Sequence, residues 1–197
     1  MYLNNEWENR YQQRKTGWDR GEVSSNLLYW IESELLQPCR ILIPGCGNGY
    51  EVLALAEKGF DVVAIDIAPT PVENIRKALD AKKLTADIIQ ADFFTWNTEK
   101  PFDAIYEQTS LCALNPEQWV SYEKSLYHWL KPEGKLFAQF MQTNVEGGPP
   151  FHCDISIMSE LFITQRWQWS EQHETQVVHS ENKYEKTFLL EKINSVL

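Results

Sequence analysis

The sequence predicts an α/β protein: a doubly wound, mostly parallel sheet of seven strands with an antiparallel hairpin at one edge. Short apolar runs alternate with helical patterns, and the first run ends in a glycine-rich turn. Together these two features indicate buried parallel strands joined by helices. Near the C-terminus two long strand-like stretches are separated by a polar turn alone, which indicates an antiparallel pair at an edge.

The elements follow in order. Residues 3–15 read as a helix stopped at Thr16-Gly17. Ser24-Ser25-Asn26 offers caps for a second helix, with Leu27, Leu28, Ile31 and Leu35 at helical spacing and Pro38 closing it. "CRILIPGCGNG" is a buried strand feeding a tight turn, "YEVLALAEKG" the next helix, and "DVVAIDI" the second strand. Thr70-Pro71 reads as a cap with proline at the first helical position, opening a helix through Lys82. "ADIIQADF" and "FDAIYEQTS" are the third and fourth strands. Asn115-Pro116 caps a helix to about Leu130, and "KPEGKLFAQFM" carries the fifth strand. "QRWQWSEQHET" and "KYEKTFLLEKI" form the terminal hairpin. No linker divides the chain, so residues 1–197 read as one domain.

Composition narrows the function. A formal net charge of -10 over 197 residues argues against a nucleic-acid partner, because phosphate binding needs a basic face. No apolar run is long enough to cross a membrane, and the N-terminus shows no secretory pattern, so a cytoplasmic location is expected. The expected partner is a small molecule, and the chain is read as a monomer. Cys39, Cys46, Cys112 and Cys153 form no CxxC pair, which suggests free thiols and no zinc site.

The first strand of such a sheet ends where ligands bind. Here its end is Pro44-Gly45-Cys46-Gly47-Asn48-Gly49. A dinucleotide fingerprint, G-x-G-x-x-G, needs glycine at the position held by Tyr50. The spacing is instead G-x-G-x-G, the form typical of S-adenosylmethionine-dependent methyltransferases, and it speaks against a nicotinamide oxidoreductase. The second strand ends at Asp66, where an acid can accept bonds from both ribose hydroxyls. The third ends in Asp92-Phe93, an acid and an aromatic suited to an adenine ring. Residues 6–22, "EWENRYQQRKTGWDRGE", are polar yet carry Trp7, Tyr11 and Trp18. Such rings would suit a cationic ligand or, alternatively, an aromatic stripe packed on the sheet edge.

The glycine turn, the N-terminal tryptophans with "WDRG", and "FDAIYEQTSLCAL", "LKPEGKL" and "GGPPF" together resemble the thiopurine S-methyltransferase family. The subgroup most resembled is the plant-type thiol/halide methyltransferases. The resemblance spans nearly the whole chain. It implies a class I methyltransferase fold, Rossmann-like, with S-adenosylmethionine as cofactor and S-adenosylhomocysteine as product. It implies cofactor contacts at Trp7, Tyr11, Trp18, Gly45, Gly47, Asp66, Asp92, Phe93 and Gln108, with residues 1–24 as an N-terminal lid folding over the ligand. On the acceptor side it implies Cys112, Phe151 and His152. Two departures stand out: Gln108 replaces a tyrosine of the plant-type enzymes, and Phe151 replaces a tyrosine after the prolines.

The expected activity is methyl transfer to a small soft nucleophile: a thiol, sulfide or halide. Thiopurine or metalloid (tellurite or selenite) methylation is the alternative within the same chemistry, and a cofactor-binding module without turnover the alternative outside it. No catalytic triad is visible. His128 reads as packing or surface, while His152 and Asp154 are the plausible proton acceptors of their loop. A lone "FHCD" is weak as a metal site.

Overall fold

The computed structural model describes residues 3–170, 176–180 and 183–194, with side chains from 6 to 170 and from 183 to 194. It consists of two compact units, Met1–Asn97 and Thr98–Leu197.

The first unit contains α1 (Leu3–Gln12), α2 (Ser25–Glu32), β1 (Arg40–Pro44), α3 (Tyr50–Glu57), β2 (Asp61–Asp66), α4 (Pro69–Lys82) and β3 (Asp87–Gln90). Its strands run in the order β3-β2-β1, both pairings parallel. Ile41, Leu42, Val62, Val63, Ala64 and Ile65 are all buried, as strands covered on both faces require. Three boundaries differ from expectation. Helix α2 ends at Glu32, short of Leu35 and Pro38, and Glu34 just beyond it adopts φ 60°. Helix α1 stops at Gln12 because Arg14 adopts φ 55°, a left-handed conformation that ends the helical run before Gly17. Helix α4 starts two residues early: Pro69 with its preset φ takes the first turn, Ala68 is the N-cap, and Thr70 lies inside the helix.

The second unit contains β4 (Phe102–Gln108), α5 (Ser110–Ala113), a 3₁₀ turn (Pro116–Gln118), α6 (Trp119–Trp129), β5 (Leu130–Gln142), α7 (Ile155–Leu161), β6 (Trp167–Trp169), β7 (Gln176–Ser180) and β8 (Lys183–Lys192). The strand order is β4-β5-β8-β6, with β7 pairing on β8 beside this path. β4 and β5 are parallel, and every pairing of β8 is antiparallel. The expected cap at Asn115 is present: its side chain accepts the Glu117 N–H, in a capping box with Gln118.

Seven strands lie on the main path, three in the first unit and four in the second, and β7 is an addition. The terminal region departs most from its sequence reading. The stretch read as one long strand yields only β6 up to Trp169, and its residues 171–175 lie outside the described ones. Val177 and Val178 carry the separate β7, which pairs with β8. α5 and α7 are each about two turns or fewer, too short to show a helical period in the sequence.

Candidate active site

The glycine turn after β1 is strained backbone that glycine alone relieves. Gly45, Gly47 and Gly49 have φ of 62°, 53° and 73°. A Cβ on Gly49 would lie 2.5 Å from Ile75 Cγ1, and one on Gly47 would lie 3.2 Å from the Tyr11 hydroxyl. The second φ and the third are therefore reinforced by crowding. Asp66, at the end of β2, braces the turn: its Oδ2 accepts the Gly47 N–H at 2.9 Å and its Oδ1 the Ala68 N–H at 2.9 Å. Burial raises the Asp66 pKa, and the N–H groups of Ala68, Gly47 and Ile67 pull it back down. The Ala91 N–H donates to the Asp66 carbonyl at 3.0 Å, so Asp92 arrives on the same rim. Its Oδ1 accepts the Phe94 N–H at 2.9 Å, and the Phe93 and Phe94 rings lie 5.1 Å apart.

The polar N-terminal segment is fastened to this turn by carboxylates. Glu8 accepts the Thr70 N–H at 3.0 Å and the Thr70 hydroxyl at 2.6 Å, tying α1 to the start of α4. Asp19 accepts from the Asn48 side chain, inside the glycine turn, and from the Gly21 N–H at 2.8 Å. Glu51 accepts the Ser24 N–H at 3.0 Å. These ties assemble the three rings. Trp18 meets Trp7 at 5.4 Å and Tyr11 at 5.6 Å, both edge to face. Burial, and then the negative charge of Asp66, push the Tyr11 hydroxyl well above its ordinary pKa. Thus Trp7, Tyr11, Trp18, Gly47 and Asp66 converge, while Asp92 and Phe93 stand at the neighbouring strand end. Glu8 and Asp19, which do the fastening, were missed as functional residues. "WDRG" contained Asp19, but nothing local marks Glu8.

In the second unit, Gln108 ends β4. Its Oε1 accepts the Tyr106 hydroxyl at 2.7 Å, and its Nε2 donates to Glu185 Oε2 at 2.9 Å. Glu107 is 1% exposed; its Oε1 accepts the Leu111 N–H at 2.7 Å at the start of α5. Its Oε2 has no hydrogen-bond partner among the described residues. Burial pushes the Glu107 carboxyl up to about 8, with the Leu111 N–H opposing and Glu185 adding to the rise. Cys112 and Phe151 come together: the Phe151 N–H donates to the Cys112 carbonyl at 2.7 Å. Burial holds the Cys112 and Cys153 thiols well above their usual range, so both are neutral and neither is a ready nucleophile. His152 Nδ1 accepts the N–H groups of Thr143 at 3.0 Å and Asn144 at 3.2 Å. That leaves its proton on Nε2, with the acceptor nitrogen occupied by the loop. Asp154 caps α7 through the Ser156 N–H at 2.8 Å. The four cysteines are free thiols.

A family model for thiopurine S-methyltransferase matches residues 2–196. The chain belongs to the thiopurine S-methyltransferase family. It is 31% identical over 160 residues to thiocyanate methyltransferase 1 of Brassica oleracea, covering 80% of this chain and 71% of that protein. It is 33% identical over 162 residues to a probable thiol methyltransferase 2 of Arabidopsis thaliana, covering 80% and 71%. A thiopurine S-methyltransferase of Pseudomonas putida is 25% identical over 199 residues, 90% of each chain. Among solved structures, a Burkholderia thailandensis 1,6-didemethyltoxoflavin-N1-methyltransferase with S-adenosylhomocysteine bound superposes with TM-score 0.77. It covers 98% of this chain and 88% of that one, at 15% identity, and so shows the shared fold. The family member described here is therefore a methyltransferase of the class I fold that uses S-adenosylmethionine. No helix among the described residues is long and apolar enough to cross a membrane.

The first unit's residues fit that ligand. The Asp66 carboxylate accepts the N–H groups of Gly47, Ala68 and Ile67, and of its roughly four lone-pair sites one remains for a hydroxyl. The bare backbone of Gly47 leaves under Tyr11 a gap that a side chain would crowd.

Proposed function

We propose that this enzyme methylates a small soft nucleophile, a thiol, sulfide or halide, with Trp7, Tyr11, Trp18, Gly45, Gly47, Asp66, Asp92 and Phe93 holding the donor. The observation that carries the donor assignment is the trio of rings tied over the glycine turn beside Asp66. The acceptor class is supported by the thiocyanate and thiol methyltransferases among the relatives. We read Cys112, Phe151 and His152 as the acceptor side, and the protein as a cytoplasmic monomer.

When bound, the donor supplies a methyl group already activated by a positive sulfur. The protein's task is then attraction, alignment and exclusion of water. An aromatic face attracts a cation by roughly 0.5–2 kcal/mol. Holding two reactants in line lowers the barrier by up to about 7–11 kcal/mol. Asp66 and Asp92 offer acceptors for hydroxyl and amino groups. A halide needs no proton acceptor, and a thiol near pKa 8.5 is already a few per cent thiolate at neutral pH. The neutral thiols of Cys112 and Cys153 accord with direct transfer and no covalent enzyme intermediate.

The test has two parts. In thermal melts, S-adenosylhomocysteine should raise the midpoint and NADH should not. With labelled donor, a panel of bisulfide, iodide, small thiols, thiopurines and tellurite should give methylated product from the first three. Product from thiopurines or tellurite alone moves the assignment to the alternative acceptors, and binding without product refutes turnover.

A further inference from the structure

Four side chains from three strands form a hydrogen-bond chain with a fixed direction. Gln139 Nε2 donates to the Tyr106 hydroxyl at 2.6 Å. The hydroxyl's own proton goes to Gln108 Oε1 at 2.7 Å, and Gln108 Nε2 donates to Glu185 Oε2 at 2.9 Å. The negative charge of Glu185 adds to the rise of the Glu107 pKa, and a charged carboxylate can only accept, so the last bond requires the amide nitrogen on that side. A flipped Gln108 would set its carbonyl oxygen against Glu185. Hence Gln108 keeps one orientation, with one Nε2 hydrogen unused among the described residues.

Burial sharpens the picture. Tyr106, Gln139 and Glu185 are 1%, 2% and 0% exposed. Gln108, at the C-terminal end of β4, is the partly exposed member of the four. That end of a parallel strand is where ligands bind. The strand register agrees: Gln108 is opposite Gln139 across β4 and β5, and Glu185 is opposite Met141 across β5 and β8. A buried carboxylate is costly beside a neutral group of the same size. Glutamine at position 185 would make a hydrogen bond to either orientation of the Gln108 amide. What glutamate adds is the exclusion of one of them.

We propose that Glu185 is a positioning residue, which with Tyr106 locks the Gln108 amide so that its free N–H serves as a fixed donor to the anionic methyl acceptor. This rests on the soft-nucleophile reading and moves Gln108 from the donor's contacts to the acceptor's. The bond from Gln108 to Glu185 is charge-assisted, so it holds the amide more firmly than a neutral pair would.

The experiment is steady-state kinetics on the full chain, with iodide and bisulfide as acceptors, for wild type, Glu185→Gln, Gln108→Met and the double variant. Glu185→Gln should raise the acceptor KM by about tenfold, the scale of one hydrogen bond to a charged group. The donor KM should stay within about twofold, and kcat should fall by less than the acceptor KM rises. Added to Gln108→Met, Glu185→Gln should have no further effect, because it acts through the amide. An unchanged acceptor KM, equal losses in every constant, or additive losses in the double variant would overturn the proposal. Should Glu185→Gln not melt cooperatively, Tyr106→Phe must by itself raise the acceptor KM in the same direction; if it does not, the proposal fails. A wild type that methylates neither anion refutes the functional reading and this inference with it. A wild type that does, with Glu185→Gln unaltered in acceptor KM, refutes this inference alone.

Discussion

The N-terminal cover and the β4 strand end are built from different materials. The cover is made of aromatic faces and of carboxylates that grip mostly backbone N–H groups: Glu8 on Thr70, Asp66 on Gly47, Glu51 on Ser24. The strand end is made of side chains that grip other side chains: Gln139, Tyr106, Gln108 and Glu185. Every residue but proline carries a backbone donor, so at Thr70 and Ser24, though not at the crowded Gly47, the bond survives a change of the partner's side chain. In the second kind, each change alters the chemistry of its neighbour. On the function proposed above, the first construction binds the donor and the second chooses the acceptor.

The largest effect expected is on the glycine turn. Gly49→Ala places a Cβ 2.5 Å from Ile75 at φ 73°. It should destabilise the fold by about 2–4 kcal/mol, since overpacking adds to left-handed strain. Urea melts measure this, and a loss below about 1 kcal/mol would mean that the turn is soft.

The second prediction tests the strand end through pH. Glu107 has an ordinary pKa of 4.5 and about 8 in the fold. Below the first value both states hold the proton and the group has no effect. Between the two the unfolded chain has released it while the folded chain keeps it, so stability falls as pH rises. Above about 8 the loss is complete. Glu107→Gln retains an oxygen for the Leu111 N–H and removes the titration. The variant should gain on wild type by up to a few kcal/mol between pH 5 and pH 9. Parallel stability curves would show that Glu107 is ionised in the fold.

Trp18→Ala removes the ring that both Trp7 and Tyr11 contact. Affinity for S-adenosylhomocysteine should weaken by about tenfold, the upper range of one cation–π contact, while melting stays cooperative. Calorimetry showing unchanged affinity would detach the cover from the donor. The smallest effect is Thr70→Val, which deletes the hydroxyl's bond to Glu8 and leaves the backbone one. It should lower stability by about 0.5–1 kcal/mol and affinity by less than Trp18→Ala does. A larger loss of affinity would make this tie, and not the rings, the main anchor of the cover.

Much of the first unit could be read from residue order. Its strands are continuous apolar runs, its turn is marked by glycines, and Asp66 and Asp92 fall at strand ends because strand ends follow from run length. The caps were less legible. Thr70 resembles an N-cap by type, yet Pro69 moves the helix start, and the Thr70 hydroxyl serves Glu8, 62 residues away. In the second unit α5 and α7 were too short to show a period, and the terminal hairpin hid a third strand.

By itself, the sequence determined the alternation of strands and helices, the glycine spacing that favours one class of cofactor, and the aromatic residues of the N-terminal segment. These are local patterns, and local patterns act over a few residues of chain. Only the tertiary structure decided that Glu185 faces Gln108, 77 positions earlier, and that Glu107 is buried enough to hold its proton near neutral pH. Hydrogen-bond partners and dielectric surroundings depend on distance in space, which pairing across β4, β5 and β8 sets and residue order does not display.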